Sequence, residues 1–212
     1  MARIVVTRPR EQAEELAGRL RRAGHDVTVC PLIVTEPLGD DPIDVTRYDW
    51  VIVTSVNGAR ELRRRAHGQM PHVAAIGRAT ALAMGGADLV PQVATQEGLL
   101  AEFPRSAGRV LFAAAAGARR LISDTLGADF VPLYRTRELS VEALPECDLI
   151  VVASASSARA LARLGARAPV VSLGPETTRV ARQAGLVVAA EAETHDLDGL
   201  VAAVEAAARN GP

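Results

Sequence analysis

Short, fully apolar runs alternate with segments of helical period along most of the chain. Arg3-Ile-Val-Val-Thr7 reads as a buried strand that ends at Arg8-Pro9. From Glu11 to Arg22 the small or apolar residues Ala13, Leu16, Ala17 and Leu20 recur at helix spacing, and Gly24 closes that helix. Residues 27–35 read as extended, 37–42 as a turn-rich join, and 49–55 as a second apolar strand. Asn57-Gly58 then opens a helix running to about Arg65. Further strands are expected near residues 73–76, 88–90, 109–112, 129–133, 148–153, 170–173 and 186–188. Helices should start near Arg78, Thr95, Gly117, Ser156, Glu176 and Asp196. Apolar strands alternating with helices mean parallel sheets covered on both faces, so the fold class is α/β. Ten such strands suit two sheets of five better than one of ten.

A weak internal repeat supports two sheets. Asp49-Trp-Val-Ile-Val-Thr-Ser55 aligns with Asp148-Leu-Ile-Val-Val-Ala-Ser154 at an offset of 99. Ile76-Gly77 matches Leu173-Gly174 at 97, and at 101 Pro31-Leu32 matches Pro132-Leu133 and Gly98-Leu99 matches Gly199-Leu200. Self-similarity over half the length marks a duplicated α/β unit. Parallel strands bind ligands at their carboxyl ends, so two copies facing each other would make a cleft lined twice by the same loops.

Composition narrows the chemistry. Hydrophobic residues make up 49% of the 212, enough for a real core, but aromatics are only 3%, so Val, Leu, Ile and Ala must build it. All 24 basic residues are Arg, which rules out a Schiff-base or P-loop lysine. A net charge of −1 gives no electrostatic case for nucleic acid or an anionic membrane. Cys30 and Cys147 form no C-x-x-C pair and read as ordinary thiols of a reducing compartment. The N-terminus runs straight into a strand and no apolar run approaches membrane length, so a cytoplasmic protein is expected.

No G-x-G-x-x-G follows the first strand, and G-x-S-x-G, H-E-x-x-H and EF-hand patterns are missing. The four histidines are scattered among polar neighbours, which reads as surface rather than metal or catalysis. What recurs is a loop of small, hydroxyl-bearing residues after a strand. These loops are Thr54-Ser55-Val-Asn57-Gly58, Gly77-Arg78-Ala-Thr80, Ser154-Ala-Ser156-Ser157 and Gly174-Pro-Glu-Thr177. Each could be an N-cap and nothing more. Yet a helix N-terminus leaves backbone N–H groups for an anion, and a cap is compatible with that use. Arg8, at the mouth of the first strand, is either a carboxylate clamp or a solvated side chain. Tyr134 either packs its ring on a hinge or presents a phenol that can donate a proton.

The motifs taken together resemble the uroporphyrinogen-III synthases. They are Val6-Thr-Arg-Pro9, Asp49-Trp-Val-Ile-Val-Thr-Ser-Val-Asn-Gly58, Ala75-Ile-Gly77, Pro132-Leu-Tyr-Arg-Thr136, Ser172-Leu-Gly-Pro-Glu-Thr177 and His195-Asp-Leu-Asp-Gly-Leu200. Each is weak alone, but their order and spacing along nearly the whole chain are specific. Arg78 departs from the pattern, standing where the later copy has Pro175. The resemblance implies two flavodoxin-like domains, each with a parallel five-stranded sheet, joined by a two-stranded linker with a cleft between them. Residues 1–36 with 137–212 would form the first domain and 37–133 the second, with linker strands at about 31–36 and 132–137. It further implies a cofactor-free, monomeric enzyme with no metal. Its substrate is hydroxymethylbilane, an octacarboxylate tetrapyrrole, which reaches it in transient contact with the bilane-forming deaminase. By the same resemblance Tyr134 would be the catalytic acid. Arg8, Ser55, Asn57, Gly77, Thr80, Ser154, Ser156, Ser157, Gly174 and Thr177 would bind substrate.

Three other readings compete on the sequence. A non-enzymatic two-lobed protein that clamps a small anion shares the architecture, but it gives the Tyr134 motif no purpose. A nucleotide-using enzyme such as a methyltransferase wants a glycine-rich first turn, which Thr7-Arg8-Pro9 does not supply. A DNA-binding regulator has neither the charge nor a helix-turn-helix signal.

Overall fold

The structure, a computed structural model, describes residues 1–210. In chain order the elements are β1 (Arg3–Val6), α1 (Arg10–Arg22), β2 (Asp26–Val29), β3 (Ile33–Pro37), β4 (Ile43–Asp44), β5 (Trp50–Val53) and α2 (Val56–Arg65). They continue with β6 (Ala66–His67), β7 (His72–Ala75), α3 (Arg78–Met84), α4 (Gln96–Glu102), β8 (Val110–Ala115), α5 (Leu121–Leu126) and β9 (Asp129–Glu138). The last are β10 (Leu149–Val152), α6 (Ala155–Arg163), β11 (Val170–Ser172), α7 (Pro175–Gln183), β12 (Val188–Glu191) and α8 (Leu197–Asn210). The chain divides into two compact units. Unit 1 is Met1–Thr35 with the chain from Arg137 onward, and unit 2 is Glu36–Thr136.

Unit 1 is built on a parallel sheet in the order β12-β11-β10-β1-β2. Alternation along β1 sends Ile4 and Val6 to one face and Val5 to the other. Leu16 and Leu20 of α1, with Leu200 and Val204 of α8, cover the first face. Ala158 and Leu161 of α6, with Val180 and Ala181 of α7, cover the second. With apolar cover on both faces the strands need no polar side, which is why Leu149–Val152 is buried at every position.

Unit 2 repeats the scheme on β9, β8, β5 and β7, which pair in parallel in that order; β3, the fifth strand of the sheet beside β9, starts in unit 1, and β9 ends there. Ala59 and Leu62 of α2 and Met84 of α3 pack on Val51, Val53 and Leu111, while Leu99 of α4 and Ile122 of α5 pack on Ile52 and Phe112. β4 and β6 form a separate two-stranded ladder.

The α/β class with parallel sheets is as the periodicity indicated, and both larger sheets have five strands. Several elements differ from their expected bounds. The run 27–35 breaks in two at Cys30-Pro31-Leu32, with β2 in one sheet and β3 in the other. The segment 88–90 is only a bridge from Leu89 to Ala74, because the Asp88 carboxylate accepts the Val73 N–H at 2.7 Å. β12 starts later than expected because the Leu186 N–H is bonded to Ala181 O and closes the end of α7. Helix α5 starts at Leu121 rather than near Gly117, since a turn closed by the Ala118 N–H on Ala115 O comes first.

Candidate functional site

Parallel strands deliver the predicted residues to one edge of each unit. In unit 1, Arg8 follows β1, Ser154, Ser156 and Ser157 follow β10, and Gly174 and Thr177 follow β11. In unit 2, Ser55 and Asn57 follow β5, Gly77 and Thr80 follow β7, and Tyr134 lies on β9. All of these lie at or beyond the carboxyl ends of their sheets. The crossover direction reverses between β1 and β10 in unit 1 and between β5 and β8 in unit 2. Crevices at such reversals are where open α/β sheets take ligands. Arg8 and Ser154 flank the reversal in unit 1, and Ser55 flanks it in unit 2.

The best-defined cluster is in unit 2. Ser55 is the N-cap of α2, and its Oγ accepts the Gly58 N–H at 3.0 Å. The same oxygen lies 2.8 Å from the Tyr134 hydroxyl, and either can be the donor. Tyr134 is 7% exposed. Burial pushes its phenol above the usual tyrosine range, against a smaller downward pull from the Ser55 hydrogen bond. The phenol therefore holds its proton at neutral pH, and the Ser55 hydroxyl is placed to stabilise a phenolate if that proton is given away. Gly58 makes room for the pair, since a Cβ there would lie 3.1 Å from Ser55 Oγ and 3.8 Å from Tyr134 Cε1.

A bulge aims the ring. Along β9 the partners of Ala113, Ala114 and Ala115 are Val131, Pro132 and Tyr134, so Leu133 is an extra residue. An inserted residue breaks the alternation of a strand and re-aims the side chain after it. Leu133 and Tyr134 accordingly pack in the same core cluster, which a regular strand would not allow. Pro132 has no N–H to lose where the ladder is interrupted.

The equivalent loop of unit 1 is closed on itself. Ser154 caps α6 by accepting the Ser157 N–H at 3.2 Å, and the Ser157 hydroxyl donates to Ser154 O at 2.9 Å. Ser157, Thr80 and Thr177 are buried, whereas Ser55, Ser154, Ser156, Asn57, Gly77 and Arg8 are half-buried. Gly174 is the N-cap of α7, with Pro175 as its first helical residue. The Arg8 guanidinium donates to Gln12 Oε1 at 3.3 Å, along the first turns of α1.

Two features behind the Gly174 loop were not read from the sequence. Ser172 Oγ lies 2.5 Å from Thr178 Oγ1, and Thr178 donates to the Glu191 carboxylate, a short polar chain that ties β11, α7 and β12 together. The other is His195, whose ring packs on Gly174. In the sequence Ser172 reads only as a residue of the strand 170–173, and Thr178 as part of the helix after it. The bond to Glu191 depends on β12 lying beside β11, which the sequence does not state. Among the described residues no group of three or more His, Cys, Asp or Glu is placed to hold a metal ion. Nor is any helix there long and apolar enough to cross a membrane.

Comparison with known proteins agrees with this architecture. A uroporphyrinogen-III synthase from Synechococcus elongatus is 28% identical, over 97% of this chain and 95% of its own. A protein of Archaeoglobus fulgidus, provisionally named for the same enzyme, is 32% identical over 94% of this chain and 96% of its own. Among solved structures, a mutant uroporphyrinogen III synthase from the extreme thermophile Thermus thermophilus superposes with a TM-score of 0.67. That match covers 99% of this chain and 100% of the other at 16% identity, a likeness of fold alone. The model of the family described as uroporphyrinogen-III synthase HemD matches residues 14–202, and the chain belongs to that family.

Proposed function

We propose that this enzyme closes hydroxymethylbilane to uroporphyrinogen III, with the substrate carboxylates held by loops of both units. The observation that carries the mechanism is the buried Tyr134 phenol, hydrogen-bonded to Ser55 at the carboxyl edge of unit 2. The Tyr134 O–H protonates the terminal hydroxyl of the bilane as its C–O bond breaks and water leaves. The last pyrrole ring is then attacked at its already substituted carbon to give a spiro intermediate, and fragmentation and reclosure leave that ring inverted. The bilane left alone closes without inversion, so much of the enzyme's task is orientation.

Backbone N–H groups at Gly77 and Gly174, and the side chains of Arg8, Ser55, Asn57, Thr80, Ser154, Ser156, Ser157 and Thr177, are the proposed substrate contacts. Their position at strand ends on both units supports this. Each unit is taken as a flavodoxin-like domain, which the strand order β2-β1-β10-β11-β12 of unit 1 supports. β3 and the end of β9 are taken as the linker. These run antiparallel, since the Leu38 N–H bonds Leu133 O while the Leu139 N–H bonds Leu32 O. In this reading the enzyme is a cytoplasmic monomer supplied with its unstable substrate by the deaminase.

The test is a coupled assay in which the bilane is generated in situ and the oxidised products are separated by isomer. Type III isomer is expected with the wild-type protein and a large loss of its rate with Tyr134→Phe. Type I isomer alone, at the uncatalysed rate with folded wild-type protein present, would overturn the reading. A normal type III rate in Tyr134→Phe would remove Tyr134 from the mechanism.

A further inference from the structure

The duplication gives a way to ask where the two units differ at equivalent loops. At an offset of 101, Val93-Ala94-Thr95 corresponds to Thr194-His195-Asp196. The two segments share a detailed geometry. Thr95 Oγ1 accepts the Gly98 N–H at 3.0 Å, and Asp196 Oδ1 accepts the Gly199 N–H at 2.8 Å. A Cβ at Gly98 would lie 2.2 Å from Val93 O, and one at Gly199 would lie 2.1 Å from Thr194 O. In both units the middle residue of the segment leans on a glycine that opens a helix, Gly77 before α3 and Gly174 before α7. Ala94 does so in unit 2, its Cβ 3.8 Å from the site of a Gly77 Cβ. His195 does so in unit 1, its Cδ2 and Nε2 lying 2.9 and 3.0 Å from the site of a Gly174 Cβ.

One unit therefore has a methyl group at this position and the other an imidazole. His195 is exposed, and packing does not require a ring where alanine serves in the other copy. The acidic groups around it are largely engaged elsewhere. The Asp196 carboxylate accepts the Gly199 N–H and the Thr194 hydroxyl. These bonds, with a smaller contribution from His195, hold it below the usual carboxylate range. From α7, Glu176 is bound at both oxygens by Arg179. From β12, Glu191 accepts from Thr178, and from α8, Asp198 is paired with Arg19. Glu193 is exposed on the same loop. The His195 ring stands at the α7 N-terminus with its Nε2 beside the Gly174 backbone.

We propose that His195 is a substrate-binding residue, donating from its ring to a carboxylate of the tetrapyrrole that lies against Gly174. This rests on the synthase reading above. Unit 1 has an imidazole donor where unit 2 has Ala94, and unit 2 has Arg78 at the position that corresponds to Pro175. Protonation turns the contact into a charge-assisted one, which is the stronger kind.

The experiment measures initial rates of type III isomer formation against bilane concentration from about pH 6 to 8.5, for wild type, His195→Ala and His195→Lys. In the wild type, KM is expected to be lower at the acid end of that range than at the alkaline end. His195→Ala should raise KM about fivefold at pH 6, the size of an exposed charged hydrogen bond, with kcat little changed and the pH dependence lost. His195→Lys should restore a low KM that is flat with pH. If His195→Ala has the wild-type KM at every pH while type III isomer still forms, His195 does not bind substrate and the synthase reading stands. If His195→Ala lowers kcat alone, or His195→Lys fails to restore KM, the residue acts through the fold and the proposal is overturned. If the wild type forms no type III isomer, the synthase reading falls and the proposal falls with it.

Discussion

Ser55 and Tyr134 share one hydrogen bond, yet removing one partner should not cost what removing the other does. Ser55→Ala deletes the cap of α2, which contributes about 1 kcal/mol. It also leaves a phenol hydroxyl without its partner in a residue only 7% exposed, at about 1–3 kcal/mol. The sum is about 2–4 kcal/mol. Tyr134→Phe removes the hydroxyl itself and leaves Ser55 half-buried and still bonded to the Gly58 N–H. Its cost is about 1 kcal/mol, that of a net hydrogen bond. In the double variant no phenol is stranded, so the loss should fall short of additive by about 1–2 kcal/mol. Urea titration of the four proteins, followed by the transition of unit 2, measures each quantity. In thermal melts the expected scale is roughly 4–8 °C per kcal/mol for a unit of about a hundred residues. If Ser55→Ala costs no more than Tyr134→Phe, or if the two effects simply add, the phenol is not held by Ser55 in a dry site. Tyr134 would then not be a tightly oriented acid.

Further outcomes follow from the same structure. Gly98→Ala and Gly199→Ala would each put a methyl group about 2 Å from a backbone carbonyl, and each should destabilise by about 2 kcal/mol or more in denaturant titrations. Gly24→Ala has open space around it but a φ of 90°, and should cost only about 1 kcal/mol. Arg119 beside Glu97 holds that carboxyl down to about 2, below the usual value of about 4.3 in an unfolded chain. Because the folded value is the lower one, the pair's contribution is fully present above about pH 4.3 and is lost as pH falls through about 2. The difference in Tm between wild type and Glu97→Gln should shrink to nothing across that window. Difference ultraviolet titration of the wild type against Tyr134→Phe should show the Tyr134 phenol ionising above the usual tyrosine range. Ionisation at or below that range would refute its burial.

The strands were legible because a parallel sheet covered on both faces needs unbroken apolar runs, and Trp50–Val53 and Leu149–Val152 could be little else. The helix starts at Ser55, Thr95 and Ser154 were legible for an equally local reason, since each side chain accepts the N–H three residues on. What the chain did not disclose depends on neighbours distant in sequence. Leu133 looks like any strand residue, and it becomes a bulge only when β8 is laid beside β9. The run 27–35 looks like one strand because its two halves have the same character, although they pair in different sheets. Leu186 has the profile of a strand residue but is taken up in closing a helix. The scattered, polar-flanked look of His195 gave no hint that it leans on a glycine about twenty residues earlier. The one sequence signal that could have found it was the internal repeat, read for its mismatches instead of its matches.

The discontinuity of unit 1 bears on how the protein emerges from the ribosome. β1 is an interior strand whose two neighbours are made at very different times: β2 begins at Asp26, whereas β10 begins at Leu149. While everything between is being synthesised, β1 lacks its β10 partner, one face of the β1-β2 pair is bare and the other is covered by α1 alone. An exposed strand edge of this kind is an invitation to aggregate. Strands β5, β7 and β8, by contrast, emerge together with the helices that cover them, so unit 2 can complete its core as a contiguous stretch of nascent chain. The expected order of assembly follows: the insert can mature first, and β1, made before it, is enclosed only once β10 has appeared.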